Sequence, residues 1–390
     1  MKKRETAVFI PFLILTALFF TSASAWSEDL IQSFNQSLND ESLTLSPFSL
    51  SLSPMPQWVN PQYPEAKAAT TTARRLIQVL PVPFAGYQDT YGILFGVALA
   101  LYDPQTQTRL TSSYLTNLNG YSRYKERFQW RRPNEWLLDV SASVGTDIQH
   151  YYGEGDETPD SFQSYQSELN FGTVSFQYSF KDNFYFGPSA EYLYRDWDAT
   201  TNNPAFANES EFRVGAQATW DYRDDVLDTH HGSYYQLGLF TLPALGNSGL
   251  GADVWQLEGD ARHYVTLFDH VVLALRANGA WTMTGQPSYS FEYSLGGTSE
   301  LRGFNTNRFR GLDFYGLQGE IRFPLFPWLI GATSLDAGDI TSTAFTQLPL
   351  VSWQVGLRSD VAEPVGIIFR IDMGFSYSGS VFIYSINEPF

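Results

Sequence analysis

Hydrophobic and polar residues alternate along most of the chain, in short segments separated by turn-forming residues. In the segment 271–281, Leu275 and Trp281 fall on one face, whereas Arg276 and Asn278 fall on the other. Side chains along a β-strand point alternately to opposite faces, so this period of two predicts strands. Sixteen such segments begin near residues 76, 90, 108, 122, 136, 165, 183, 211, 232, 252, 270, 313, 328, 351, 365 and 380.

The polar face of these segments carries arginine together with aspartate or glutamate. Glu320 precedes Arg322 on one such face, and Arg370 precedes Asp372 on another. A half-buried strand of a soluble sandwich has the same period, but its solvent face would favour Lys and Glu. Recurring Arg and carboxylate indicate a wet, salt-bridged lumen with lipid on the apolar side. The predicted fold class is therefore all-β, a transmembrane antiparallel β-barrel of 16 strands, the even number typical of bacterial outer-membrane barrels.

The aromatic content and the end of the chain agree with a membrane barrel. Phe, Trp and Tyr make up 16% of the residues, which is typical of a barrel with aromatic girdles at both membrane interfaces. The chain ends on Phe390, and Phe382, Tyr384 and Ile386 occupy alternate positions before it. This pattern resembles the recognition signal of outer-membrane barrels, although Glu388 interrupts it.

The chain divides into three predicted parts. Residues 1–25 have a basic start, a short apolar run and the small-residue sequence Ala23-Ser24-Ala25, which together predict a secretory signal peptide. Residues 26–75 are rich in Ser and Pro and lack strand alternation, which indicates either a disordered periplasmic lead or a short docking helix. Residues 76–390 form the predicted barrel. The chain has no cysteine, which excludes a lipoprotein anchor and disulfides.

Composition narrows the chemistry further. The net charge of −17 argues against nucleic acid as a partner, because phosphate binding needs clustered Lys and Arg. His230 and His231 lie near Asp225 and Asp228, but a solvated turn explains them better than a metal site. No convincing Ser/His/acid set is present. We therefore expect no cofactor, no metal and no enzymatic activity, although some outer-membrane barrels are phospholipases or proteases.

A glycine-rich segment at 296–311 carries the most distinctive chemistry. Its residues Gly296, Gly297, Leu301, Arg302, Gly303 and Phe304 lie between two strand-forming stretches. Glycine permits tight backbone reversals, so an arginine on this loop can reach far from its own strands. A guanidinium holds carboxylates by planar, bidentate bonds that lysine cannot form. Inside a barrel, the loop is predicted to fold inward, and its arginine would meet carboxylates on the opposite wall.

These motifs resemble those of the BamA/TamA superfamily, the bacterial surface-antigen family of outer-membrane barrels. Leu301-Arg302-Gly303-Phe304 resembles the family's Arg-Gly-Phe/Tyr motif on its sixth extracellular loop. A second segment resembles the family's strand-turn-strand motif. Its matching residues are Asp221, Arg223, Asp224 and Gly232, and His230 stands where the family often has a proline. The resemblance covers residues 76–390 and implies that Arg302 pairs with Glu320 and Asp336 on the lumen wall.

The resemblance implies a bacterial outer-membrane protein that assembles or translocates other proteins. The family's transport members carry periplasmic POTRA domains, which residues 26–75 do not resemble. Two alternatives therefore stay open: a passive channel or structural barrel, and a lipid-handling barrel that works with a separate periplasmic partner. Expected partners are outer-membrane lipid and other outer-membrane or secreted proteins. The substrate and the oligomeric state are not determined by the sequence.

Overall fold

The structure is a computed structural model that describes residues 78–386, with short gaps at 89–90, 104–107, 133, 156–157, 159, 199–207, 227, 246–249, 269, 327, 342–347 and 363–366. The predicted signal peptide, the predicted segment 26–75 and Phe390 lie outside the described residues. Within the described part, no helix is long and apolar enough to cross a bilayer.

The described residues form eighteen strands and one short 3-10 turn, η1 (Tyr289–Phe291). The strands are β1 (Gln78–Gln88), β2 (Gly92–Asp103), β3 (Thr108–Asn117), β4 (Ser122–Arg132), β5 (Trp136–Tyr151), β6 (Gln163–Lys181), β7 (Phe184–Trp197), β8 (Glu209–Asp221), β9 (Gly232–Leu242), β10 (Val254–Phe268), β11 (Val271–Thr284), β12 (Tyr293–Leu295), β13 (Phe309–Gly311), β14 (Asp313–Phe326), β15 (Leu329–Thr341), β16 (Leu350–Ala362), β17 (Ile367–Ser376) and β18 (Gly379–Ile386).

Sixteen of these strands form one antiparallel sheet in chain order, and the short strands β12 and β13 pair only with each other. The predicted sixteen-stranded, all-β architecture is confirmed, and each predicted start lies within two residues of an observed one. In such a meander, every second connection emerges at the same end of the strands. The β11–β14 connection therefore lies at the same end of the barrel as the β5–β6 and β17–β18 connections.

The sheet has two chemically different faces. On β11, Leu275 and Trp281 are exposed on one face, while Val272 and Ala274 are buried on the other. Polar contacts identify the second face as the lumen, because Arg131 of β4 reaches Asp221 of β8 at 2.9 Å between strands that are not neighbours. Lipid solvates the apolar outer face, so the protein does not need the apolar core of a soluble protein.

The first and last strands lie side by side. Cα atoms of β1 and β18 come within 8 Å of each other. Nevertheless, among the described residues the backbone ladder of the sheet ends at these two strands. The β1–β18 boundary is thus the seam of the barrel, held by fewer main-chain hydrogen bonds than any other strand boundary in the described part.

Candidate functional site in the lumen

The β11–β14 connection folds back on itself before it reaches the wall. β12 and β13 form a miniature ladder in which Leu295 is paired with Phe309. Beyond it, Gly296 and Gly297 adopt φ values of 103° and 113°, which residues with a Cβ rarely tolerate. A Cβ on Gly296 would lie 2.3 Å from the carbonyl oxygen of Asn305. These glycines let the segment between the two short strands make a tight loop.

Arg302 lies at the inner end of this loop and is completely buried. Its Nε and Nη2 donate to the two carboxylate oxygens of Asp336 at 2.8 and 2.7 Å. Its main-chain nitrogen donates to the same carboxylate at 3.0 Å, and its Nη1 donates to Glu320 at 2.7 Å. One guanidinium therefore joins β14 and β15 by bidentate and monodentate charged hydrogen bonds.

Glu320 extends this contact into a larger network. Its other carboxylate oxygen, Oε1, accepts from Arg322 Nε at 2.8 Å. Arg358 Nη2 donates at 3.4 Å to Oε2, the oxygen that Arg302 also binds. Arg358 also binds Asp372, whose second oxygen lies 2.6 Å from Arg370 Nε. The network thus spans β14, β15, β16 and β17, which we call the loop-covered wall.

The backbone of the loop also contacts this network. Arg370 Nη2 donates to the carbonyl oxygen of Thr298 at 2.6 Å, so a wall cation also holds the loop backbone. Alternation of arginine and carboxylate is required here, because a charge buried without a partner costs several kcal/mol, at least ~3. The loop and the wall are therefore mutually dependent: removing one member leaves another buried charge unpaired.

An apolar cluster lies beside the charges. Leu301, Phe304, Phe309 and Ile340 are all buried, together with Leu295. The Phe304 ring meets the Phe309 ring edge-on at 5.1 Å. Leu301 has a positive φ of 46°, and this turn of the chain lets Leu301 pack in the apolar cluster while Arg302 binds the carboxylates. The segment Leu301–Phe304 therefore holds the loop against the wall through both charged and apolar contacts.

Gly303 brings the loop backbone against the wall. A Cβ there would lie 2.4 Å from the carbonyl oxygen of Phe375 and 2.6 Å from Cβ of Ser352. Facing it on β17, a Cβ on Gly374 would lie 1.9 Å from the carbonyl oxygen of Arg302. Ser376 Oγ donates to the Gly303 carbonyl at 2.8 Å. Two glycines on separate elements therefore make the contact possible.

The sequence matches the model of a known protein family. A model described as the Omp85 superfamily domain matches residues 81–376. The chain belongs to the Omp85 superfamily. It is accordingly a bacterial outer-membrane β-barrel, as the side-chain alternation and the family resemblance predicted.

Solved structures agree at the level of the fold. BamA from Haemophilus ducreyi, lacking POTRA domains 1–3, aligns with a TM-score of 0.53 and 11% identity, over 80% of this chain and 69% of BamA. CdiB from Escherichia coli gives 0.54 and 14%, and CdiB from Acinetobacter baumannii gives 0.52 and 16%. In both cases the chain covers 59% of CdiB. No curated protein matches the sequence.

The strand-turn motif of this Omp85 barrel lies at the opposite end of the barrel from the loop. Asp221 accepts from Nε and Nη2 of Arg223, both at 2.9 Å. Asp224 Oδ1 accepts from the main-chain nitrogens of His230 and His231 at 3.1 and 3.2 Å. Gly232 follows with φ 109°. The motif closes the β8–β9 turn, and the described residues contain no cluster suited to a metal.

Two hydrogen bonds from the β5–β6 connection hold the loop from outside. Arg308 Nη2 donates to Asp160 at 3.0 Å, and the Gly155 nitrogen donates to the Arg310 carbonyl at 2.6 Å. Neither arginine was predicted from the sequence as a loop contact. Both follow the Arg-Gly-Phe motif at short spacing, but their partners come from the distant β5–β6 connection.

Glu292 is a titratable group of this outer part. Its side chain is 8% exposed and lies 3.8 Å from Arg310. Burial raises the pKa of Glu292 to about 7, and Arg310 offsets part of that increase. Glu292 therefore changes charge near neutral pH, at the entrance of the inward-folded loop.

The described residues include only part of the predicted C-terminal recognition signal, because they end at Ile386. Phe382 and Tyr384 are half-buried on β18, and the Tyr384 ring lies 6.3 Å from Phe369 of β17. Ile386 ends the strand. Arg358, Arg370 and Asp372 fell on the polar face in the sequence pattern, but their partnership with Glu320 and the loop needed the structure.

Proposed function

We propose that this Omp85 barrel assembles or translocates other proteins at the outer membrane, rather than catalysing a reaction. What supports the proposal most is an asymmetry around the seam. The Arg302 loop ties β14, β15 and β17 together through buried contacts. The β1–β18 boundary next to them has no backbone ladder in the described residues.

In this proposal the loop-covered wall is the rigid side of a lateral opening. Main-chain hydrogen bonds are the largest set of contacts that strand separation would break, and the seam has the fewest. Opening at the seam, near residues 76–81 and 381–390, would expose a strand edge to a client chain. Arg302, Glu320 and Asp336 have the role of keeping β14–β17 in place while β1 moves.

The test uses cysteine pairs, since the chain has no cysteine of its own. One pair joins β1 to β18, and a control pair joins β9 to β10. Liposomes that contain the protein should accelerate the folding of a second outer-membrane barrel. Oxidation should abolish this gain for the seam pair and leave it for the control pair, and a reductant should restore it. Absence of acceleration by the unmodified protein, or equal behaviour of both pairs, would refute the proposal.

A passive channel is the second candidate, and one observation favours it. On the opposite side of the lumen, strands β3, β4 and β5 form what we call the open wall. There the side chains of Arg127 and Asp139 are 54% and 32% exposed. Conductance separates the candidates: a large, steady current that Arg302→Ala leaves unchanged would mean that the loop does not gate the lumen.

A further inference from the structure

The lumenal face of β4 carries cations at four of its alternate positions: Arg123, Lys125, Arg127 and Arg131. Their lumenal direction follows from their contacts, since Arg131 crosses to β8. The other face of the strand carries Tyr124, Glu126, Phe128 and Trp130. The β3–β4 and β4–β5 pairings have no register shift, so the four cations share one side of the strand.

Three of these four cations have carboxylate partners. Arg123 lies 2.9 Å from Asp147, and Arg131 lies 2.9 Å from Asp221. Arg127 Nε donates to Asp139 at 3.0 Å. Two of these carboxylates are shared, because Arg195 also approaches Asp147 at 3.7 Å and Arg223 also binds Asp221. The four cations of β4 therefore contact three carboxylates, two of which also contact arginines from beyond the open wall.

Lys125 is the fourth cation, and among the described residues it has no ion pair. Its side chain is exposed to the lumen. Its direct cross-strand neighbours are Ser113 on β3 and Ser143 on β5, both within reach of a long side chain. Ser143 is 9% exposed, and its Oγ has no hydrogen-bond partner.

This arrangement combines a point charge with a neighbouring hydroxyl donor. An ammonium group carries three donors and binds phosphate as a point charge, and serine adds a directional O–H bond. The guanidinium groups of Arg123 and Arg127, two residues away on either side, add positive potential. Among the described residues no carboxylate lies within ion-pair distance of Lys125, and Asp147, which attracts it at longer range, is already paired with Arg123.

We propose that Lys125 and Ser143 form a lumenal site for a tetrahedral oxyanion of the phosphate class. The oxyanion accepts from Lys125 Nζ and Ser143 Oγ, and the adjacent arginines strengthen its binding without leaving their own carboxylates. Two sources share this chemistry: free phosphate and a phospholipid headgroup. The site depends on neither of the proposed functions, because it is defined by contacts in the resting barrel.

The lysines offer a direct reporter of anion binding, because the chain has only five of them. Lys181 serves as the internal control, since it ends β6 at the β6–β7 turn. Reductive methylation with isotope-labelled formaldehyde keeps each lysine positive and gives it an NMR signal. Inorganic phosphate is titrated into the folded protein, with chloride at matched ionic strength as the reference. A saturable shift is expected for Lys125 and none for Lys181.

Variants test the geometry. Ser143→Ala should weaken phosphate binding about tenfold, the usual effect of losing one hydrogen bond to a charged group. Ser143→Thr retains the hydroxyl and should restore most of the affinity. Ser334→Ala is the matched control, since Ser334 is also buried with an unpartnered hydroxyl but lies on the loop-covered wall. Short-chain phosphatidylglycerol replaces phosphate in a parallel titration, and tighter binding of the lipid would identify a headgroup site.

The outcomes are distinct. A saturable Lys125 shift that Ser143→Ala weakens and Ser143→Thr restores supports the site. Parallel, non-saturating shifts of Lys125 and Lys181 would show general screening and overturn it. So would the absence of any Lys125 shift, equal binding of chloride and phosphate, or equal losses in Ser143→Ala and Ser334→Ala.

Discussion

The loop-covered wall and the open wall have the same kinds of residues but different surroundings. On both, arginines and carboxylates alternate along neighbouring strands. Arg302, Glu320 and Arg358 have no exposed side-chain surface, whereas Arg127 retains 54% of its own. The loop makes this difference, because Arg302 itself binds Glu320 and Asp336, whereas among the described residues no loop side chain contacts Arg127. Ion pairs of similar geometry should therefore have very different effects on stability in the two places.

Removing one arginine from each wall should produce the largest contrast. Arg302→Ala leaves Asp336 without its bidentate partner and weakens the contacts of Glu320, so we expect a loss of about 3–5 kcal/mol in the free energy of unfolding. Arg127→Ala, the matched control, should cost about 1 kcal/mol or less, because its pair is exposed to water. Urea unfolding of the barrel in lipid vesicles measures both. Equal losses would mean that the loop does not exclude water from its wall.

A methyl group at the loop–wall contact should have the next largest effect. Gly303→Ala places a Cβ within 2.4 Å of the Phe375 carbonyl oxygen, and the resulting overpacking should cost about 1–3 kcal/mol. Gly259→Ala is the control on β10, where the nearest heavy atom lies 4.0 Å away. The same unfolding measurement applies, and protease cleavage within residues 296–308 should increase only in Gly303→Ala. Unchanged stability of Gly303→Ala would argue against the close approach.

Double substitutions should distinguish partners from bystanders. Arg302→Ala and Asp336→Asn should combine with a coupling of at least ~0.5 kcal/mol, because each removes the same interaction. Arg302→Ala and Asp139→Asn lie on different walls and should add. The temperature at which the folded barrel loses its characteristic gel mobility gives a second measure. Additive losses in the first pair would show that Arg302 and Asp336 do not stabilise each other.

The smallest effect concerns pH at the outer end of the loop. Burial raises the pKa of Glu292 to about 7, so the folded protein binds this proton more tightly than the unfolded chain. The contribution of Glu292 to stability is therefore greatest in acid and declines as pH rises from the ordinary glutamate value towards about 7. Protease resistance of the β11–β14 connection should fall over this interval, and Glu292→Gln should flatten the profile. A variant profile as steep as that of the wild type would assign the pH dependence to another group.

The alternation of side chains was sufficient to predict much of the barrel. Strand starts, the division into an apolar and a charged face, and the inward loop between β11 and β14 all follow from local rules. Those rules act over a few residues: a period of two fixes which face a side chain takes, and glycine permits positive φ. Gly303 was identified from the glycine-rich motif, although its φ is not positive and its small size serves the close approach to the wall. Gly374 was not, because its need for a small side chain arises from a loop more than sixty residues away.

The sequence alone determined which residues face the lumen, and the tertiary structure decided which of them meet. Arg358 and Arg127 have the same alternation on their strands, yet one joins Asp372 in a dry network and the other stays in water. That outcome depends on the stagger of sixteen strands and on the path of one loop across the lumen. Local pattern does not encode either property, because both are set by contacts between residues far apart in the chain. Lys125 illustrates the same limit: its charge is evident in the sequence, but its lack of an ion pair among the described residues emerges only when the walls are assembled.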